Sequence, residues 1–230
     1  MAIAFRARTA KAFAATIDTA ISKPSGVVDG DTLIASIVSH VTNTTISAPI
    51  GWTEYSGSPF AYSVEGGLTQ YSHHYWKIAS GESSTWTWSH DLTTTAGQCL
   101  SYSGGVVRGD PNDCTPSQNE GGPDTNCVGL SITTVNPNSL AVMISTYFTS
   151  DGGRTPPDGY VEHGNPNVDY SACDKLIQPA GATGNQTLVF INSINWFSFF
   201  IALKSRHDVM GNVGRITAGN GISVSDNFRG

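Results

Sequence analysis

The sequence is poor in charge: only 13% of its 230 residues are Asp, Glu, Lys or Arg, against roughly 25% in an ordinary soluble domain. The 12 basic residues are scattered and outnumbered by 18 acidic ones, for a net charge of −6. No basic footprint exists to neutralise a phosphate backbone, which excludes nucleic acid as an expected partner. Long apolar runs are also lacking. A membrane helix needs about 20 consecutive apolar residues, and the nearest approach is the short stretch from Trp196 to Leu203, so no membrane partner is expected. The N-terminal MAIAFRARTAKAFAATIDTA carries Arg6, Arg8 and Lys11 without the apolar core of a secretory leader behind them. Secretion by that route is not expected.

Cysteine is thin, and Cys99, Cys114, Cys127 and Cys173 show none of the two-residue spacings of zinc or redox motifs. They read as free, mostly buried thiols, with a Cys114–Cys127 bridge across a Gly/Pro/Asn-rich loop as the alternative in an oxidising medium. Catalytic signatures are missing as well: G-x-S-x-G, H-E-x-x-H and the phosphate-binding G-x-x-x-x-G-K-[ST] do not occur, and no enzyme activity is expected. Glycoside hydrolysis needs two convergent carboxylates, but Glu54, Glu65, Glu82, Glu120 and Glu162 all fall in turns or strand ends and read as solvated loop acids. Asp29, Asp31, Asp110 and Asp113 offer oxygens of the kind that bind calcium, yet the same spacing serves Asx turns. His73 and His74 are adjacent, so on a strand they face opposite ways and cannot share an ion. No metal or other cofactor is expected.

What is present is β-structure. In STWTWSH, Trp86, Trp88 and His90 alternate with Thr85, Thr87 and Ser89, the period of a strand. In QYSHHYW both alternating sets carry aromatic or imidazole groups, which predicts a strand covered on both sides. TLIASIVSHVT and SLAVMISTYFT are β-branched, nearly continuous apolar runs suited to central strands. Gly, Pro, Asn and Asp clusters separate them, and no stretch has a sustained helical period with caps.

The chain also repeats itself. Residues 29–56 and 136–163 each hold an apolar strand followed by a proline and a Gly-aromatic pair, Gly51-Trp52 and Gly159-Tyr160. Aligned on Leu33 and Leu140, the pairs follow at 18 and 19 residues. QYSHHYWKIASGESSTWTWS then matches DYSACDKLIQPAGATGNQTLVF through Tyr71/Tyr170 and Lys77/Lys175, and each copy closes in an aromatic-rich strand, AGQCLSYSG or WFSFFIALK. These features predict an all-β chain with a jelly-roll-like β-sandwich body over residues 1–205. That body comprises repeat one at about 17–105, a polar linker at 106–129 and repeat two at about 130–205. One fused sandwich is favoured over two in tandem, because units this small gain stability by packing together. The Gly/Asn-rich residues 206–230 read as an extended arm or small hairpin, which is marginal alone and calls for a partner surface.

The run ISKPSGVVDGDTLIASIVS, followed by APIGWTEYS, YWKIASGESSTWTWS and LSYSGG, resembles a pattern of virion structural proteins of tailed bacteriophages and their prophage relatives. It covers roughly residues 17–105, with a weaker copy over 136–204. RITAGNGISVSDN is similar to Gly-Asn-Gly segments of phage fibre and head-associated proteins. The resemblance implies a β-sandwich module on a virion assembled in the host cytoplasm, and it leaves head against tail open. One expectation is a capsid decoration or cement protein, bound to the major capsid protein and to itself as a homo-oligomer, a trimer being common among such decorations. Subunit contacts are then expected at Ile3 and Phe5 of the N-terminal strand and at Ile216, Ile222 and Val224 of the arm. The alternative is a tail-associated, receptor-binding module. There Trp52, Trp86 and Trp88, with Trp76, would stack on glycan rings, although Trp86 and Trp88 on one face equally suit a core.

Overall fold

The computed structural model describes residues 2–206 apart from 41–44, 65–66, 148–152 and 164–169. In chain order the first half forms β1 (Ala4–Arg8), β2 (Ala12–Ala14), β3 (Asp18–Ser22), β4 (Thr32–His40), β5 (Thr53–Glu54), β6 (Phe60–Val64), β7 (Leu68–Ile78), β8 (Thr85–Ser89) and β9 (Thr95–Ser103). The second half forms β10 (Ser117–Gly129), β11 (Ser139–Tyr147), β12 (Arg154–Thr155), β13 (Val161–Glu162), β14 (Tyr170–Ile177) and β15 (Gln186–Leu203). The chain is all-β, as the alternation and the apolar runs predict. No helix among the described residues is long and apolar enough to cross a membrane.

Two antiparallel sheets stack face to face. The first runs β1-β9-β4-β7-β5, with β2 beside β9 and β6 beside β7, and the second runs β10-β15-β11-β14-β13, with β12 beside β15. Their facing sides share one core. Ile34, Leu100 and Tyr102 of the first sheet meet Leu140, Val142, Ile144, Phe197, Phe199 and Ile201 of the second. The outer faces are covered too. Ile21 of β3 with Trp86 and Trp88 of β8 form a two-stranded ribbon over Leu33, Ala35, Ile37 and Cys99. On the far side Cys127, Leu188 and Phe190, from the ends of β10 and β15, close over Ala141, Met143 and Phe200. The body is therefore layered as ribbon, sheet, sheet, ribbon, and its central strands are buried on both faces.

Strand order and register set the correspondence between the halves. β4 and β11 occupy the same place in their sheets, and Leu33, like Ala141, faces the outer layer. Leu140 instead faces the shared core with Ile34. The structural counterpart of Leu33 is thus Ala141, one residue past the Leu140 alignment, and Gly51 and Gly159 then both follow at 18 residues. Both glycines have positive φ, 88° and 77°, a conformation only glycine adopts freely. A lysine lies over each, since a Cβ there would meet Lys77 Cε or Lys175 Nζ at 3.2 or 3.1 Å.

The segment expected as a linker is strand over residues 117–129. SQNEGGPDTNCVG has little β-propensity, but β10 is an edge strand that borrows its order from β15, pairing Ser117 with Phe200 and Gly129 with Gln186. Tertiary pairing overrides local preference here, and the polar residues suit an open edge.

One hydroxyl ties the halves together. Tyr170 of β14 reaches the first sheet, where its hydroxyl accepts from Val38 N at 2.9 Å and donates to Ala96 O. Tyr170→Phe leaves two buried backbone groups without that partner and is expected to destabilise by about 1–3 kcal/mol. Urea unfolding should show this as a lower midpoint at unchanged slope; an unchanged midpoint would show that the bridge contributes nothing.

Candidate functional site

Three clusters of ionisable side chains could in principle carry acid–base chemistry. In the first, Glu54 Oε1 accepts from Ser58 Oγ at 2.7 Å and lies 3.2 Å from His73 Nδ1. The carboxylate sits between serine and histidine, so the imidazole does not touch the hydroxyl it would have to deprotonate. His73 Nε2 is buried without a hydrogen-bond partner. Burial raises the Glu54 pKa, but the bonds from His73, Ser58 and Tyr75 outweigh it and hold the carboxyl below its usual value.

In the second, His163 Nε2 lies 2.8 Å from Asp174 Oδ2, and the ring is capped by Phe5, stacked at 3.7 Å. This pair anchors β1 against the second half. In the third, the fully buried Arg154 guanidinium bonds Glu162 and the Tyr147 hydroxyl. Among the described residues, none of the three has a hydrogen bond joining a serine or cysteine nucleophile to a histidine base.

Of the glutamates read as solvated loop acids, Glu54 and Glu120 are exposed, whereas Glu82 is not. Glu82 has only 3% side-chain exposure and accepts from Lys77 Nζ, Trp86 Nε1 and Ser80 N, each at 2.9 Å. Burial opposes its charge, and these donors overcome that and lower its pKa. Glu120 accepts from Ser63 N across the two halves. Glu65 lies outside the described residues. The aspartates serve as turn acceptors: Asp31 pairs with Arg6 at 2.7 Å, Asp29 takes Gly81 N, and Asp113 takes Val135 N and Asn136 N.

The expected contact and stacking residues are placed differently from the sequence reading. Ile3 is 3% exposed in the shared core, and Phe5 packs on Tyr102 and His163. The Ile3 side chain is used within the chain because β1 pairs with β9, whereas Phe5 is half-buried. Ile216, Ile222 and Val224 lie outside the described residues. Trp52, Trp86 and Trp88 are 8%, 5% and 0% exposed and pack on one another, with ring centroids of Trp52 5.2 Å from each of the other two. Covered by the ribbon, they present no face to a sugar.

Two clefts lie at the seam between the halves. A cleft of about 500 Å³ is lined by Thr53, Glu54, Tyr55 and Ser56, by Trp76, and by the 110–116 stretch. A second, of about 340 Å³, lies between Phe60 and the 118–120 stretch of β10. In the larger cleft the Tyr55 hydroxyl is buried without a partner. Burial, and then the nearby Asp110 carboxylate, push its pKa well up, so it remains a neutral donor. Trp76 is the only one of these groups that the aromatic pattern singles out. Asp110 stands out in the sequence only as a turn or calcium-type oxygen, and Tyr55 and Asn112 carry no local signal; the three meet only through tertiary packing. Comparison with known proteins adds no neighbour: no family model, curated protein or solved structure matches this chain.

Two predictions follow from these environments. All four cysteines are free; burial pushes Cys114 to about 11, Cys127 to about 12 and the other two higher still. A thiol reagent at pH 8 is expected to modify the half-buried Cys114 alone in the native protein and all four in urea. A second fast native thiol would contradict the burial.

His74 sits in the shared core, hydrogen-bonded to Ser36 Oγ and Ser72 Oγ at 2.9 Å each and stacked on Phe199 at 4.1 Å. Burial, and then neighbouring His73, lower its pKa to about 3. Below the ordinary value near 6.5 the unfolded chain binds a proton here that the folded chain refuses, so stability falls as pH drops from about 6.5 toward about 3. His74→Phe is expected to lose less stability between pH 7 and pH 4.5 than the parent, measured by urea midpoints at both values. Equal losses would remove His74 as the titrating group.

Proposed function

We propose that this chain is a non-enzymatic structural protein of a tailed-phage virion, a decoration or cement protein held on the head shell by the major capsid protein and by copies of itself. The virion assignment rests on the resemblance over residues 17–105. The observation that carries the decoration reading is the corner where the first strand lies beside the last described residues. Gly105 bridges Ser205, Arg206 N donates to Gly104 O at 2.9 Å, and a Cβ on Gly104 would collide with Ala2 O. The N-terminal strand therefore starts beside Ser205 and Arg206, the last described residues. A rigid body with its first strand and Arg206 at one corner suits attachment through one face, with many modest contacts multiplied by symmetry.

Locating labelled protein on intact particles tests the reading directly. A regular array on the shell is the expected result, and signal confined to the tail would overturn it. Truncation after Arg206 is expected to leave the unfolding midpoint unchanged while lowering shell occupancy. Equal occupancy would show that the arm has no part in attachment.

A further inference from the structure

We infer that the larger seam cleft is a binding site for a neutral saccharide, built by both halves of the chain. The inference does not depend on the decoration reading.

Four observations converge on it. The indole of Trp76 is half-buried against the shared core and lines the cleft, giving the kind of apolar face on which a pyranose ring stacks. Tyr55, 4% exposed, contributes a buried hydroxyl without a partner, and an orphaned polar group of this kind gains the most from an incoming hydrogen-bonding ligand. Asn112 Oδ1 is likewise buried and unpartnered. Asp110 uses one carboxylate oxygen, Oδ1, to hold Asn112 N and Nδ2 at 2.9 and 2.6 Å, which leaves Oδ2 to accept from sugar hydroxyls. An aromatic wall, a neutral donor and two oxygen acceptors in about 500 Å³ match a ring that is apolar on its faces and hydroxylated at its rim.

The charge of the lining narrows the class. Glu54, Asp110 and Asp113 all border the cleft, and no lysine or arginine does. Acidic sugars are disfavoured by like charge, so hexoses and N-acetylhexosamines are the expected occupants rather than uronic or sialic acids. A cationic headgroup would also satisfy the charge, but it would leave the Tyr55 donor unused.

Trp76 is the only tryptophan lining the cleft; Trp52, Trp86, Trp88 and Trp196 are buried. Tryptophan emission of the full chain should therefore be titrated with glucose, galactose, mannose and N-acetylglucosamine, with glucuronic acid and choline as contrasts, and calorimetry run alongside. At least one neutral sugar is expected to bind saturably with Kd on the order of 1 mM. Asp110→Asn, on an exposed turn, should weaken that binding about tenfold with an unchanged unfolding midpoint, and Trp76→Phe should abolish the emission change. Absence of a saturable response to any neutral sugar would overturn the site. So would a response indifferent to both substitutions, or binding of glucuronic acid or choline in preference to every neutral sugar. Because these measurements use the isolated protein, they stand or fall separately from its position on a particle.

Discussion

Burial of each main sheet on both faces is the constraint from which the rest of the molecule follows. The shared core covers the inner faces and the two ribbons cover the outer ones, so β4 and β11 have almost no residue that meets water. Strands in that position must be apolar throughout rather than alternating, and the low charge of the chain is one consequence. A second is that polar groups on the buried strands look for partners inside the protein, although Thr32 Oγ1 and Thr146 Oγ1 find none. Ser36 and Ser72 find theirs in His74, and the Val38 and Ala96 backbone groups, on neighbouring strands, both engage the Tyr170 hydroxyl. These bonds are directional where the surrounding core is not. They therefore select one docking of the sheets from the many that apolar contact alone would allow.

The same constraint governs how much of the fold is legible in the sequence. The runs at 32–40 and 139–147 announce central strands because they are nearly continuously apolar, with apolar residues on both alternating sets. For that reason they say nothing about which residue faces which layer. Hydrophobic alternation is what carries phase, and a slip of one residue exchanges the two faces of a strand. Matching Leu33 with Leu140 by residue type made that slip, whereas the interval to Gly51 and Gly159, anchored by Lys77 and Lys175, contains the correct phase. Where a strand is half-exposed the pattern is explicit: β8 reads exposed, buried, exposed, buried, exposed, and Trp86 and Trp88 fall on the buried side. β10 lies at the other extreme, its order coming almost wholly from pairing with β15, and nothing in its polar sequence reports that.

Aromatic content drew attention to four tryptophans as sugar platforms, and three of them are core because the ribbon closes over them. Trp76 differs in being on the inner face of β7, paired with Ile34 of β4 on one side and with Thr53 of the short β5 on the other, where the 110–116 stretch also lines the cleft. Tyr55 and Asp110 are more than fifty residues apart, and the turn formers around Asp110 have the composition of any loop. A site assembled from the edges of two packed units leaves no spacing motif, since its geometry is a property of their docking.

That docking also makes the seam cleft rigid. Asp110 belongs to a loop, but the loop is fastened to β15 at successive residues: Lys204 N donates to Pro111 O, Asn112 bridges Leu203, and Asp113 N donates to Ala202 O. The opposite wall, Tyr55 and Trp76, is held by the first sheet, and Tyr55 packs edge-on against Phe199 of β15 at 4.9 Å. Neither wall can shift without disturbing the shared core, so the lining groups stand in place before any ligand arrives and little ordering entropy opposes binding. The corner where the first strand lies beside Arg206 is built on the same seam, through Gly104, Gly105 and Ser205. Substitutions that loosen the inter-sheet core should therefore weaken both regions together, whereas changes to the outer ribbons should affect stability and leave the seam geometry intact.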